Sequence, residues 1–163
     1  MRALILLLAA ACASGAGSYG SISFKSPANY AARPATFSVG KGRITGSDLD
    51  LWQDGNCVRG AWGRVPVDFC RDDKGDQPMQ HWAGSSGEFT VTPAADVAVV
   101  SGYWNLDTGR TVSMSQDVRL GQGSQWDELR RNPALLAIAA TAADLHQAIA
   151  RISADTIRPF SNS

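Results

Sequence analysis

The sequence contains few of the residues on which enzyme and metal chemistry usually depend. It has two histidines and three cysteines, and its 15 basic side chains are balanced by 15 acidic ones in a chain of 163 residues. A chain without net charge lacks the basic surface that binds nucleic acids or anionic membranes. His81 and His146 lie far from the cysteines in sequence, so a zinc site with four ligands is not indicated.

Motifs for catalysis are also absent from the sequence. No phosphate-binding loop or dinucleotide fingerprint is present. The segment GSSG at 84–87 lacks the last glycine of a nucleophile elbow, since Glu88 follows it. The aspartates of the charged loop 71–78 lack the alternation and the closing Glu of an EF-hand. We expect no metal, no cofactor and no enzymatic activity, and the alternative is a hydrolase that uses His81 with a carboxylate.

The first 13 residues have the pattern of an export signal. Arg2 precedes an apolar run that is too short to span a membrane. The segment AAAC at 9–12 resembles a bacterial lipobox, which implies cleavage before Cys12 and lipidation of that cysteine. Cleavage after Ala13, which would discard Cys12, is the alternative. We expect an exported protein, either an outer-membrane lipoprotein or a periplasmic or secreted protein, with a tether and N-terminal segment at 14–34 and one domain at 35–160.

The segment 57–70 predicts a β-hairpin that is closed by a disulfide. Two alternating runs flank Gly63 and Arg64, a pair suited to a two-residue turn. That turn places Cys57 opposite Cys70 as a non-hydrogen-bonded pair, in which side chains approach most closely. It also places Arg59 opposite Asp68 on the same face and Val58 opposite Phe69 on the other. An even cysteine pair in an exported chain favours a disulfide.

The strand before this hairpin, at 49–52, is expected to join it through a four-residue loop at 53–56. Such a loop would place Trp52 opposite Cys57. The outward row would then be Asp50–Arg59–Asp68 and the inward row Leu51–Val58–Phe69. In this arrangement Trp52 either covers the disulfide or is an exposed binding residue.

The rest of the chain up to residue 120 predicts an antiparallel meander. Alternating runs occur at 21–24, 35–39, 43–46, 79–83, 88–92, 96–104 and 110–120, and short turns separate most of them. Glycines recur inside the strands at Gly46, Gly60, Gly84 and Gly102. Glycine inside a strand usually marks a bend or a close approach of another backbone. The repeated glycines therefore indicate a strongly curled sheet.

Two helices are predicted after residue 120. Ser124 and Asp127 resemble the ends of a capping box for a short helix that ends near Arg131. Asn132 and Pro133 suit the N-cap and first position of a second helix. Its apolar stripe comprises Leu135, Ile138, Ala142, Leu145, Ile149 and Ile152, and polar residues lie outside the stripe. We expect a long amphipathic helix packed against the sheet.

The predicted fold class is α+β, a curled antiparallel meander of about seven to nine strands that forms an open or closed barrel. Its shape is similar to the lipocalin-like architecture, although no lipocalin motif is present. We expect a non-enzymatic binding protein, an inhibitor, immunity or assembly factor, with a protein partner in the cell envelope and Trp52, Trp104 and His81 as candidate binding residues. The alternative is a carrier of a small apolar ligand between sheet and C-terminal helix.

Overall fold

The computed structural model describes residues 17–24, 33–72, 78–106 and 109–156, with side chains described up to residue 145. These residues form one antiparallel sheet and two helices, in which strands that follow each other in sequence lie next to each other in space. The strands are β1 (Ser18–Phe24), β2 (Ala35–Gly40), β3 (Arg43–Gly46), β4 (Leu49–Asp54), β5 (Cys57–Trp62), β6 (Val65–Asp72), β7 (Gln80–Gly84), β8 (Gly87–Pro93), β9 (Val97–Asn105) and β10 (Thr111–Arg119). The helices are α1 (Ser124–Arg131) and α2 (Pro133–Thr156). Neither helix has a described segment long and apolar enough to cross a bilayer.

The predicted meander is confirmed, but the sheet has ten strands, more than expected. The first strand, β1, begins at Ser18 rather than at residue 21 and lies within the segment 14–34 that was expected to include the tether. Strands β1 and β10 form the two edges and do not pair with each other, so the sheet is not closed. Cys12 and the predicted signal at 1–13 lie outside the described residues.

The predicted register of the hairpin β5–β6 is confirmed. Cys57 lies opposite Cys70 and the two form a disulfide. Arg59 lies opposite Asp68, and its Nε is 3.3 Å from the Asp68 carboxylate. On the inner face, Val58 and Phe69 are fully buried. One register therefore satisfies the disulfide, the ion pair and the core.

The predicted four-residue loop before this hairpin is wrong. The turn consists of Gly55 and Asn56 alone, so Asp54 lies opposite Cys57 and Trp52 lies opposite Arg59. Gly55 allows this tight turn because it adopts a positive φ of 58°. A residue of a central strand forms its ladder bonds toward only one neighbour. The shorter turn meets this condition, since it gives Cys57 a hydrogen-bonded pairing on the side away from Cys70.

The correction changes the predicted rows across the sheet. The outward row is Trp52–Arg59–Asp68. Asp50 instead forms an ion pair with Arg43 on β3, in which Arg43 Nη2 donates to Asp50 Oδ2 at 2.9 Å. On the inner face, Leu51 lies opposite Gly60 rather than Val58. Leu51 is still completely buried. The alternation between faces was therefore predicted correctly, and only the register between β4 and β5 was not.

The inward-facing glycines allow adjacent strands to approach closely. Gly60 has a φ of 146°, and a Cβ there would collide with the carbonyl oxygen of Asp50 and lie 2.9 Å from the Cα of Leu51. A Cβ at Gly46, Gly84 or Gly102 would collide with the neighbouring strand in the same way. Side chains at these positions would hold the strands apart and flatten the sheet. The prediction of close backbone approach is confirmed.

The curled sheet surrounds the first half of α2. This helix contacts β1–β5 as well as β8–β10. These strands include both edges of the sheet. Every residue from Ala134 to Ala143 is at most 4% exposed. The predicted amphipathic pattern is therefore wrong for this half, where alanines fill the positions between the large side chains and leave no polar face. Exposed polar character begins only at Asp144.

Helix α1 lies beside the first strands of the sheet and does not use the predicted capping box. Its N-cap is Gly123, and no side chain caps it. Ser124 is already helical, and its hydroxyl donates instead to the carbonyl of Tyr19, at 3.1 Å. The buried Glu128 fixes the helix to the β2–β3 turn, because its Oε1 accepts the Gly42 N–H at 2.7 Å.

The carboxylate of Glu128 also accepts hydrogen bonds from the end of α1. Oε1 accepts from Asn132 Nδ2 at 2.8 Å, and Oε2 accepts from Arg131 Nη2 at 2.7 Å. Burial alone would raise the pKa of Glu128, but the hydrogen bonds from Arg131, Gly42 and Asn132 and the charge of Arg131 outweigh it. Together they hold the pKa below its ordinary value of 4.5. The ionised form therefore stabilises the folded state.

Replacing Gly60 with Ala should strongly destabilise the protein. We expect Gly60→Ala to lower the free energy of unfolding by at least about 2 kcal/mol, from backbone strain and displacement of β4. Gly63→Ala is the control, because Gly63 also has a positive φ but a Cβ added there would have no atom within 4 Å. Gly63→Ala should lower the free energy of unfolding by about 1 kcal/mol. Urea denaturation measures both, and equal losses would show that close strand approach contributes nothing.

The lowered pKa of Glu128 predicts a pH-dependent contribution to stability. We expect Glu128→Gln to lower the free energy of unfolding by about 1–3 kcal/mol at pH 7. The folded-state pKa lies below 4.5, so the contribution is complete above pH 4.5 and is lost as the pH falls through the folded pKa. The difference between the proteins should therefore shrink below pH 4.5. Asp127→Asn, at an exposed carboxylate of α1, should cost less than about 0.5 kcal/mol. A difference that stays constant between pH 7 and pH 3 would refute this assignment.

Candidate functional site

A large cleft among the described residues lies where the sheet fails to close. We call the gap between β1 and β10 the seam. Its volume is about 900 Å³, within the range of ligand pockets. Ser23 and Phe24 of β1 line one side, the segment 115–119 of β10 with 99–101 of β9 lines the other, and Ala140 and Ala143 of α2 line it between them. The seam therefore brings together both edges of the sheet and the central helix.

The hydrogen-bonding pattern identifies which backbone groups of β10 face the seam. At the two ends of the β9–β10 hairpin, Leu106 N–H donates to Arg110 O at 2.7 Å and Leu120 N–H donates to Asp96 O at 2.9 Å. Hydrogen-bonded and non-hydrogen-bonded pairs alternate along an antiparallel ladder. Residues 112, 114, 116 and 118 therefore bond to β9. Ser113, Ser115 and Asp117 direct their backbone N–H and C=O groups toward the unpaired edge.

The opposite edge, that of β1, is partly covered by α1. The carbonyl of Tyr19 accepts the hydroxyl of Ser124, and a Cβ at Gly20 would lie 3.3 Å from the side chain of Gln125. Phe24 makes an edge-on contact with the ring of Trp126. The two edges thus differ, since α1 occupies the first half of β1. No described element pairs with β10 on its outer side.

The side chains in the seam are mainly apolar toward α2, with Gln116 as a polar exception, and charged toward solvent. The inward residues of β10 include Val118, which is buried, and Gln116, whose Nε2 donates to the hydroxyl of Thr141 at 3.1 Å. The outward residues Asp117 and Arg119 are exposed, and charged side chains on an edge strand discourage uncontrolled pairing. The seam can therefore accept an extended backbone whose side chains alternate between apolar and polar.

His81 lies on the outer face of the sheet beside carboxylates. Its Nε2 is 2.7 Å from Glu88 Oε1 on β8, and its Nδ1 is 3.9 Å from Asp72 on β6. Tyr103 donates a hydrogen bond to the other oxygen of Glu88 at 3.5 Å. Because His81 is paired with a carboxylate, the hydrolase hypothesis stays a prediction. If His81→Ala kept the full hydrolytic activity of the wild type, that hypothesis would be removed. No three His, Cys, Asp or Glu side chains in the described part of the chain are grouped to hold a metal ion.

The serine-containing turn at 84–87 has a structural explanation. Ser86 is only 3% exposed and its hydroxyl joins the turn to β6. It accepts the backbone N–H of Asp68 at 2.8 Å and donates to the carbonyl of Pro66 at 3.1 Å. Both hydrogen-bonding functions of this hydroxyl are therefore used within the sheet.

The two tryptophans that were candidates for binding occupy different environments. Trp52 is 43% exposed on the outer face, between Arg43 on β3 and Arg59 on β5. The hydrogen bond and the charge of Asp50 raise the pKa of Arg43. Trp104 is completely buried, 5.5 Å from the ring of Trp62. The structure thus does not bring Trp52, Trp104 and His81 together as one exposed surface.

Sequence reasoning missed the seam. The alternating run at 110–120 predicts the strand β10, but whether the other edge of that strand pairs with a neighbour cannot be read from one strand. The outward residues of this strand, which are Thr111, Ser113, Ser115, Asp117 and Arg119, are all polar. The central strand β8 also has a polar outward row, formed by Glu88, Thr90 and Thr92, so this pattern alone did not signal an exposed edge.

The chain was also compared with known proteins. It matches no protein-family model, and neither curated proteins nor solved structures give a significant match.

Proposed function

We propose that this chain is an exported, non-enzymatic binding protein whose protein partner contributes an extended segment to the free edge of β10. The observation that supports this proposal is the seam, where an edge strand of nine residues borders a cleft of about 900 Å³. Adding a strand to an exposed sheet edge is an established mode of peptide recognition, in which backbone hydrogen bonds supply affinity and side-chain pockets supply specificity. An inhibitor, immunity factor or assembly factor would bind a partner in this way.

The lining of the seam specifies the chemistry of the segment. The side chains that it directs inward would meet Phe24, Val118 and the small side chains of Ala140 and Ala143. Methyl groups on α2 leave room for large apolar residues there. The outward side chains would lie beside Asp117 and Arg119, which are exposed. The partner segment should thus alternate apolar and polar residues.

Export is proposed from the disulfide and from the N-terminal pattern. A disulfide between Cys57 and Cys70 persists in oxidising compartments such as the periplasm or the exterior. A lipid on Cys12 would anchor the protein to the outer membrane, and cleavage after Ala13 would release it. The intact mass of the mature protein from its native host distinguishes these outcomes. Membrane contact is proposed only through such an anchor.

Proline at the free edge should block partner binding without disrupting the fold. Ser115 directs its backbone N–H toward the seam, so Ser115→Pro removes that donor and leaves the bonds between β9 and β10 in place. A photo-crosslinker at position 113 in producing cells identifies the partner, and peptides from its crosslinked region provide the ligand. We expect Ser115→Pro to weaken peptide binding at least about tenfold.

Ser115→Ala is the matched control, because it removes the same hydroxyl but keeps the N–H, and it should bind like the wild type. Hydrogen exchange provides a second measurement, in which the amides of Ser113, Ser115 and Asp117 should become protected when the peptide binds. Equal binding by the Pro and Ala variants would refute strand addition. Crosslinking of the chain only to itself would count against a protein partner.

A small apolar ligand in the same cleft is the second candidate function. The volume of the seam and its apolar residues Phe24, Val100 and Val118 favour this alternative. We expect Ala143→Leu to reduce binding of a naphthyl fluorescent probe at least about tenfold, because the added side chain fills the cleft from α2. Ser115→Pro should leave probe binding unchanged, since an apolar ligand does not need the edge N–H. Failure of the wild type to bind the probe at micromolar concentration would remove this candidate.

A further inference from the structure

Two acceptor groups interrupt the apolar inner wall of the seam. Ala140, Ala143 and Asp144 lie on the face of α2 that lines the seam, because residues three and four positions apart share one side of a helix. Asp144 is exposed, and its carboxylate forms no hydrogen bond or ion pair with the described residues. The second acceptor belongs to Gln116 of β10, which is half-buried and also lines the seam.

A chain of hydrogen bonds determines which end of the Gln116 amide faces the seam. Thr141 donates its hydroxyl hydrogen to the carbonyl of Ala137 at 2.9 Å, so its oxygen acts as the acceptor for Gln116. The contact at 3.1 Å therefore involves the amide nitrogen of Gln116, and Oε1 has no partner among the described residues. This oxygen is accessible, because the buried unpartnered atoms of the described residues all lie elsewhere. A ligand in the seam can reach it.

Asp144 and the Oε1 atom of Gln116 lie within the reach of one long side chain. The Gln116 amide is bonded to Thr141, and Asp144 follows Thr141 by three positions, which places their Cβ atoms about 5–6 Å apart. On the outward side of β10, Asp117 and Arg119 carry opposite charges that offset each other. The described side chains that line the seam therefore have a net negative charge, and Asp144 places it on the inner wall.

A segment that added to β10 would shield both acceptors from water. Gln116 forms its ladder bonds with β9, so in an antiparallel added strand the residue opposite it belongs to a non-hydrogen-bonded pair. The side chains of such a pair lie close together on the same face of the sheet, so the opposite residue points inward. An apolar side chain at that position would bury a carboxylate and an amide oxygen without a donor, which is unfavourable.

We propose, as an inference that rests on the function proposed above, that the partner segment carries a lysine or arginine at the inward position opposite Gln116. Its aliphatic stem would lie along Phe24 and Val118. Its cationic end would donate to Gln116 Oε1 and form an ion pair with Asp144. The segment is thus apolar at its other inward positions and basic at this one, and Asp144 determines that specificity.

Three nonapeptides with blocked ends test this inference on the full-length protein. Valine and threonine alternate in each peptide, and the central inward position holds lysine, norleucine or glutamate. Fluorescence anisotropy at physiological salt measures the dissociation constants. We expect the lysine peptide to bind at least about tenfold more tightly than the norleucine peptide, and the glutamate peptide to bind most weakly. Ser115→Pro should weaken the binding of all three, because it removes a backbone donor that every peptide uses.

Substitutions at Asp144 test the source of the selectivity. Asp144→Asn should weaken binding of the lysine peptide at least about tenfold and leave that of the norleucine peptide within about twofold of the wild type. Asp144→Lys should reverse the preference, so that the glutamate peptide binds more tightly than the lysine peptide. Asp96→Asn is the matched control, because Asp96 is an exposed carboxylate that does not line the seam, and it should bind all three peptides like the wild type. Thermal melts confirm that each variant is folded.

The outcomes separate this inference from the proposed function. Equal binding of the three peptides, weakened by Ser115→Pro, would overturn the basic position and leave strand addition in place. A preference for lysine that Asp144→Asn does not reduce would also overturn it. A preference for lysine that depends on Asp144, with full affinity in Ser115→Pro, would instead refute strand addition and retain the acceptor site. No binding of any peptide at millimolar concentration would overturn both.

Discussion

The structure depends on burying a helix that has no polar face over its first three turns. From Ala134 to Ala143 every residue of α2 is excluded from water. Leu135, Leu136 and Ile138 each contribute about 1.5–3 kcal/mol when they are buried. A flat sheet covers only one side of a helix, so burial on all sides requires a sheet that bends around it. The inward glycines provide the bend, because side chains there would collide with the backbone of the neighbouring strand.

The central helix also determines where function can be located. In a lipocalin-like barrel the interior holds a ligand, but here α2 occupies that interior. Among the described residues a large space remains at the seam, because ten strands bend around the helix without closing. The edges of the seam are not equivalent, since α1 covers part of β1 through Ser124 and Gln125. The free backbone groups described at the seam are therefore concentrated on β10, and this is the edge that the proposed strand addition would use.

The hairpin β5–β6 was predictable because its register is fixed by residues close in sequence. The register of β4, the burial of α2 and the position of the seam depend on contacts that are harder to read from the sequence. The turn at Gly63, the cysteines and the opposite charges of Arg59 and Asp68 all require one register, so their agreement was decisive. The register of β4 was mispredicted because Gly55 and Asn56 offered a shorter turn, and no cysteine or ion pair distinguished the alternatives. The burial of α2 was mispredicted because alanine suits both an exposed and a buried helix face. Whether the alanines of α2 are exposed or buried depends on how the sheet surrounds the helix. The position of the seam depends on the same sheet.

The candidate residues chosen for their chemistry prove to be mainly structural or isolated, for a physical reason. Trp104 lies in the core, Cys57 and Cys70 close a hairpin, and Trp52 lies on the outer face of the sheet and does not line the seam. Residue types that attract attention in a sequence are often those that stabilise a small disulfide-bonded domain. The seam is formed by backbone groups and by common side chains such as serine, alanine and glutamine. Groups of this kind acquire a role only through their position, so the proposed binding site depends on the way the sheet encloses the helix.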